Sequence, residues 1–150
     1  MKKKPPIDVE ARLQTFHLLC KDCKLKVTPQ RLEIYRTVLQ LAHHPTTEDI
    51  YRKIRITLPT ISIDTVYRTL ALFERCGLIS QVQNLSDKGR YDSKLEKHHH
   101  FICIRCQKIV DFYWPEFDKL SVPPPAKKNG KILSEQVELR GICTDCLKKS

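Results

Sequence analysis

The sequence predicts an α+β chain in two parts: a winged helix-turn-helix, then a strand-rich half stapled by a metal. Three observations predict it. Helical apolar spacing recurs four times in the first 76 residues and is followed by two short strand-like runs. Near residue 93 the pattern turns from helices to strands. The second half also carries two Cys-x-x-Cys pairs, Cys103/Cys106 and Cys143/Cys146, with 36 residues between them. The corresponding divisions are residues 1–92, a hinge at 93–97 (Ser-Lys-Leu-Glu-Lys) and residues 98–150.

Val9, Leu13, Phe16, Leu19, Cys20 and Cys23 recur at helical spacing and predict a first helix. Thr28-Pro29 reads as a cap followed by proline at the first helical position, opening a second helix whose apolar face is Ile34, Val38, Leu39 and Leu41. His43-His44-Pro45 ends it. Thr46 caps a third helix, with Glu48 and Asp49 in its first turn and Ile50, Ile54 and Leu58 inward, up to Pro59. Ser62 caps a fourth, from Ile63 to about Cys76, burying Val66, Leu70, Leu72 and Phe73 before Gly77 terminates it. Strands are expected near 78–83 and 89–92, separated by Asn84 to Lys88. Helices followed by a two-stranded wing make the helix from Ser62 the reading helix. Beyond the hinge, strands are expected at Phe101-Ile102, 108–112 and 132–139, a helix over 114–122 opened by Pro115, and a loop over 123–130.

Two residues between cysteines let both sulfurs face one centre, and two such pairs close the tetrahedral shell of a structural zinc. His98-His99-His100 precedes the first pair and Asp111 follows it, setting nitrogen and oxygen donors beside the sulfur cluster. Such donors suit an exchangeable iron or manganese ion. Cys20 and Cys23 lie one helical turn apart and read as small core residues, with a redox pair as the sharper alternative. Cys76 reads as core. His17 and His43 read as solvated.

The formal charge of +10 and a pI near 9.4 favour a polyanionic partner. Residues 1–92 carry 16 Lys/Arg against 10 Asp/Glu and the rest 11 against 7, so the excess does not single out one half. No run approaches the length of a membrane span, and the basic start Met1-Lys2-Lys3-Lys4 lacks the apolar stretch of an export signal. A cytoplasmic setting, in which thiols serve metals, is the expectation. A four-thiolate zinc leaves no open position for water, and no nucleophile–base pair stands out, so an enzyme is not expected. A zinc-stapled protein-interaction module is the remaining reading; the capped helices and wing weigh against it.

Val27-Thr28-Pro29-Gln30-Arg31, His44-Pro45-Thr46, Ser62 to Leu70, His98 to Cys103 and Gly141-Ile142-Cys143 together resemble the ferric uptake regulator (Fur) superfamily of metal-dependent bacterial repressors. The likeness runs over about residues 9–147. It implies a winged-helix DNA-binding domain, a C-terminal α/β dimerisation domain with the four-cysteine zinc, and a sensor site whose ligands fall on His44, Asp92, His98, His100 and Asp111. It also implies a homodimer on AT-rich inverted-repeat operator DNA, with Tyr67 and Arg68 at the groove and Arg31 and Lys26 on the backbone. No membrane is implied, and no small-molecule substrate beyond metal ions and hydrogen peroxide. Aspartate at 111 resembles peroxide regulators, in which iron-catalysed histidine oxidation is the signal; Tyr67-Arg68-Thr69-Leu70 looks more like the iron and zinc regulators. Ferrous-iron sensing is therefore the alternative, with zinc or manganese sensing behind it. A second regulatory site of such proteins maps to His99, Asp118 and Glu135, but Lys97 stands where its histidine is usual. A lysine ammonium has no lone pair to give, so His99 reads instead as an exposed strand residue.

Overall fold

A computed structural model describes residues 8–41, 43–82 and 88–149, which fall into two compact units, 1–95 and 96–150. The basic arm at Lys2 to Lys4 and most of the expected wing loop, 84–87, lie outside the described residues. No helix among the described residues is long and apolar enough to cross a membrane.

The first unit holds four helices, α1 (Val9–Asp22), α2 (Pro29–Gln40), α3 (Thr47–Ile54) and α4 (Ile63–Arg75), then the antiparallel pair β1 (Ser80–Val82) and β2 (Arg90–Asp92). Each helix starts where an oxygen-bearing side chain can take up orphan backbone N–H groups. Asp8 accepts from Glu10 and Ala11, Thr28 from Arg31, and Ser62 from Thr65. Thr46 and Asp49 form a reciprocal capping box. α3 stops at Ile54, one turn before Leu58 and Pro59. The core closes on three aromatic rings from three helices: Phe16 stacks on Tyr35 at 4.7 Å, and Phe73 meets both edge-on at 5.6 and 5.7 Å. Ile34, Ile50, Ile54, Val66 and Leu70 fill the space around them and are wholly buried. Gly77, at φ +69°, turns the chain out of α4 where a side chain would be strained.

Two cysteine readings need correction. Cys23 and Cys76 are joined by a disulfide, so neither is a free core thiol. Both occupy C-cap positions, where the side chains leave their helices and can meet across α1 and α4. Cys20 remains a buried thiol, and burial pushes its pKa up.

The second unit is a three-stranded sheet in the order β4 (Ile109–Phe112), β3 (His99–Cys103), β5 (Glu138–Gly141), antiparallel between β3 and β4 and parallel between β3 and β5. Gly141 lies opposite Cys103, and a Cβ there would come within 3.0 Å of the Phe101 ring. Three short helices complete it: α5 (Pro115–Asp118), α6 (Pro124–Lys127) and α7 (Thr144–Lys148). The helix expected over 114–122 shrinks to one turn, and Leu120 beyond it is 63% exposed with no core to face. The proline run opens α6 instead of a plain loop, prolines being well placed at a helix start. The last strand begins at Glu138, not Ile132, because pairing with β3 sets its register; Leu133 is 85% exposed.

Candidate metal centres

β3 and β4 form a hairpin whose turn carries the first cysteine pair, and β5 leads into the second at the start of α7. Cys103 ends β3, and its carbonyl accepts from Gln107, which turns the chain back at φ +59°. Cys143 sits at the N-cap of α7, its carbonyl bonded to the Leu147 N–H, so the helix turn swings Cys146 back beside it. The four sulfurs lie within 4.8 Å of one another, with Cys103–Cys146 at 3.9 Å and Cys106–Cys143 at 3.7 Å. Zinc–sulfur bonds of about 2.3 Å give a tetrahedron with edges of about 3.8 Å, so the cluster fits zinc as it stands.

Backbone N–H groups of Cys106, then Cys143 and Arg105, hold the Cys103 thiol down to about 6. The Cys143 N–H donates to the Cys103 sulfur, with the nitrogen 3.3 Å away. Hydrogen bonds with the Cys143 and Cys106 sulfurs push Cys146 up to about 12. One thiolate is therefore prepared by the backbone, and another thiol shares its proton with the sulfurs around it.

The histidine and aspartate positions form two groups, one in each unit. In the first unit, His44 Nε2 lies 3.4 Å from Asp92 Oδ2, both side chains buried. His43 and His44 take positive φ of 73° and 55°, a conformation non-glycine residues adopt at a cost. Arg90 holds them there: its guanidinium donates to the carbonyl oxygens of His43, at 3.1 Å, and His44. The Tyr91 N–H bonds the Pro45 carbonyl at 2.9 Å, tying β2 to this turn.

In the second unit, His98 immediately precedes β3 and His100 lies two residues on in extended chain, hence on the same side, and the register sets Asp111 directly opposite His100. His98 Nε2 and His100 Nε2 are 3.1 Å apart, and Asp111 Oδ1 lies 4.0 and 3.4 Å from them. His98 Nδ1 donates to the Glu96 carbonyl at 2.7 Å, which leaves the Nε2 lone pair facing the cluster. The Gln136 amide nitrogen donates to the His98 carbonyl and to His100 Nδ1, both at 3.1 Å. His100 thus carries its proton on Nε2, and a metal there requires the other tautomer. Imidazole and carboxylate donors suit iron or manganese. Neither Arg90 nor Gln136 was expected from the sequence; a lone arginine in a strand and a glutamine in a loop give no motif.

His99 points to the opposite face of β3 and is fully buried against Phe112 and Phe117, which overturns the exposed reading. Its Nδ1 accepts from the Val137 N–H, and Nε2 lies 3.2 Å from Asp118 Oδ1. The Lys97 ammonium stands 3.2 Å from Asp118 and 3.6 Å from Glu135. That cluster already contains its cation.

On α4, Tyr67 is 45% exposed and Arg68 reaches Asp64 at 2.9 Å from a solvent-facing position. Lys26 is exposed, and the Arg31 guanidinium donates to its carbonyl at 2.6 Å.

Comparison with known proteins adds four findings. A sequence model of the ferric uptake regulator family matches residues 22–140. The peroxide operon regulator of Bacillus subtilis (strain 168) is 33% identical over 129 residues, covering 86% of this chain and 89% of the relative. Among solved structures, the Helicobacter pylori ferric uptake regulator, which has three functional metal-binding sites, aligns with a TM-score of 0.75 at 28% identity over 97% of both chains. The Francisella tularensis ferric uptake regulator with iron aligns at 0.66 and 27% identity, over 81% of this chain and 94% of that one.

Proposed function

The chain belongs to the ferric uptake regulator family, and from that premise we propose that this metal-responsive transcriptional regulator is a repressor that senses peroxide. The observation that carries the reading is the pair of buried donor groups, His44 with Asp92 and His98 with His100 and Asp111. By the family resemblance these five side chains are the ligands of one regulatory ion, a nitrogen/oxygen set that suits iron or manganese. A metal shared by both restricts the freedom of one unit relative to the other. If it binds the DNA-competent form about a hundredfold better, it biases the chain by about 2.7 kcal/mol.

Similarity to a peroxide regulator and aspartate at position 111 support peroxide as the signal. Ferrous iron at such a site supplies the one-electron chemistry through which peroxide oxidises a ligand histidine. The chain's own part is to hold His44 in its strained turn through Arg90, to fix the His98 tautomer through Glu96, and to keep both rings from bulk water. DNA is read by Tyr67 and Arg68 on α4, with Arg31 and Lys26 on the phosphates, at AT-rich inverted repeats. A homodimer is supported by the apolar side chains that the second unit leaves open: Leu120, Leu133 and Leu147 are 63%, 85% and 55% exposed.

The test is anaerobic loading with ferrous iron, operator binding before and after low peroxide, and mass spectrometry of the histidine peptides. One added oxygen on His44 or His98, coincident with release of DNA, is expected. Asp111→Glu keeps metal-dependent DNA binding while oxidation falls. Release of DNA only on chelation, with no histidine gaining mass, replaces this reading with ferrous-iron sensing.

A further inference from the structure

The Cys23–Cys76 disulfide has no part in either metal centre. It connects the C-cap of α1 to the C-cap of α4 and closes a loop of 53 residues in sequence separation, which encloses α2, α3 and α4. Cys23 is exposed and Cys76 partly so, leaving the bridge within reach of solutes. Each cysteine stands at the last turn of its helix, followed by a residue at positive φ, Lys24 at 57° and Gly77 at 69°. Opening the bridge therefore breaks no helical hydrogen bond. The aromatic core of Phe16, Tyr35 and Phe73 also joins α1 to α4 without it.

The rest of the chain decides whether such a bridge is a fixed staple. Cys103, Cys106, Cys143 and Cys146 form no disulfide and must stay reduced to hold zinc. Surroundings that keep four zinc-binding thiols reduced also act on an exposed disulfide in the same molecule.

We propose that Cys23 and Cys76 form a reversible dithiol–disulfide site, exchanging with small thiols and disulfides of the glutathione class. Its state sets the stability of the DNA-binding unit, an input separate from metal. A glutathione thiolate attacks the exposed Cys23 sulfur, the bond between the cysteines breaks, and Cys76 leaves as thiolate. A second glutathione then attacks the mixed disulfide, freeing Cys23 and forming glutathione disulfide. Two electrons and two protons pass to the protein, one of each per sulfur, and the reverse reaction restores the bridge. Cys20, one turn before Cys23, is shut from solvent with its thiol pushed up by burial, so it does not compete for either partner.

The test equilibrates the full-length, zinc-loaded protein with mixtures of reduced and oxidised glutathione, quenches it in acid and maps alkylated cysteines by mass spectrometry. Cys23 and Cys76 are expected to change state together, at ratios where the four zinc cysteines stay protected. The melting temperature of the first unit should fall on reduction by on the order of 10 °C, because the unfolded chain regains the freedom of the opened loop. Cys20→Ala keeps the transition. Cys23→Ser and Cys76→Ser each abolish it and melt like the reduced protein in either buffer. Persistence of the bridge in excess reduced glutathione makes it a permanent staple and overturns the proposal. So does alkylation of both cysteines at every ratio, or loss of zinc before the pair responds.

Discussion

Cys103 and Cys146 are like side chains shifted in opposite directions, and their surroundings account for it. Cys103 faces backbone N–H donors, which favour the anion and hold it down to about 6. Cys146 faces other sulfurs, which favour the proton and push it up to about 12. At pH 7 the first is a thiolate and the second a thiol, so zinc entering the cluster displaces at least the Cys146 proton. Calorimetric zinc titrations in buffers of different ionisation enthalpy should show that release. Zinc retention should weaken as pH falls, and more steeply below about 6, where Cys103 also takes up a proton. Zinc uptake at pH 7 with no proton released would remove this account. Position 99 teaches a different lesson. Alternation along β3 correctly separates His99 from His98 and His100, but alternation alone cannot say that Phe112 and Phe117 cover the second face.

Among the elements, α4 joins packing to the proposed recognition surface. Its buried side, Val66, Leu70 and Phe73, fixes the helix on the core, leaving Tyr67 and Arg68 on the outer side. The Arg68–Asp64 pair is i,i+4 and solvent-facing, so it is worth a few tenths of a kcal/mol and yields readily to a base or phosphate. Arg68→Ala should weaken operator binding by about 1–3 kcal/mol with little change in folding, measured by salt-controlled gel shift against thermal melting. Unchanged affinity takes α4 out of the interface. α1 to α4 were legible because caps and apolar spacing are local: Thr28-Pro29, Thr46 and Ser62 each lie next to the turn they start. The second unit was less so. β5 is placed by parallel pairing with β3, about forty residues away in sequence, and no local signal separates Glu138 from Ile132 as its start. The Cys23–Cys76 bridge was hidden for the same reason, being a contact between helix ends 53 residues apart. The candidate metal donors came from the resemblance; Arg90 and Gln136, which hydrogen-bond around them, had no signal in the sequence.

At the scale of the whole chain, the two units are stabilised by different means. The first has an aromatic centre ringed by buried aliphatics from all four helices. In the second, the buried apolar residues among those described are Ile102, Cys103, Ile109 and Cys143, and two of these four are zinc-ligand cysteines. A unit of residues 96–150 is too short to close its balance on so little apolar burial. Zinc binding to a small domain contributes on the order of 10 kcal/mol, so the metal stands in for the missing core. Removing zinc should therefore unfold the second unit while the first persists. Segment-resolved hydrogen exchange checks this directly. After chelation, amides of β3, β4 and β5 should exchange at rates near those of an open chain, while those of α2 and α4 keep their protection. Dimers should be lost with the second unit. Cys103→Ser should reproduce both effects without a chelator, since it removes the sulfur that the backbone prepares as thiolate. Sustained protection across β3–β5 in zinc-free protein would mean that the sheet carries its own stability, and the four-cysteine cluster would then need another purpose.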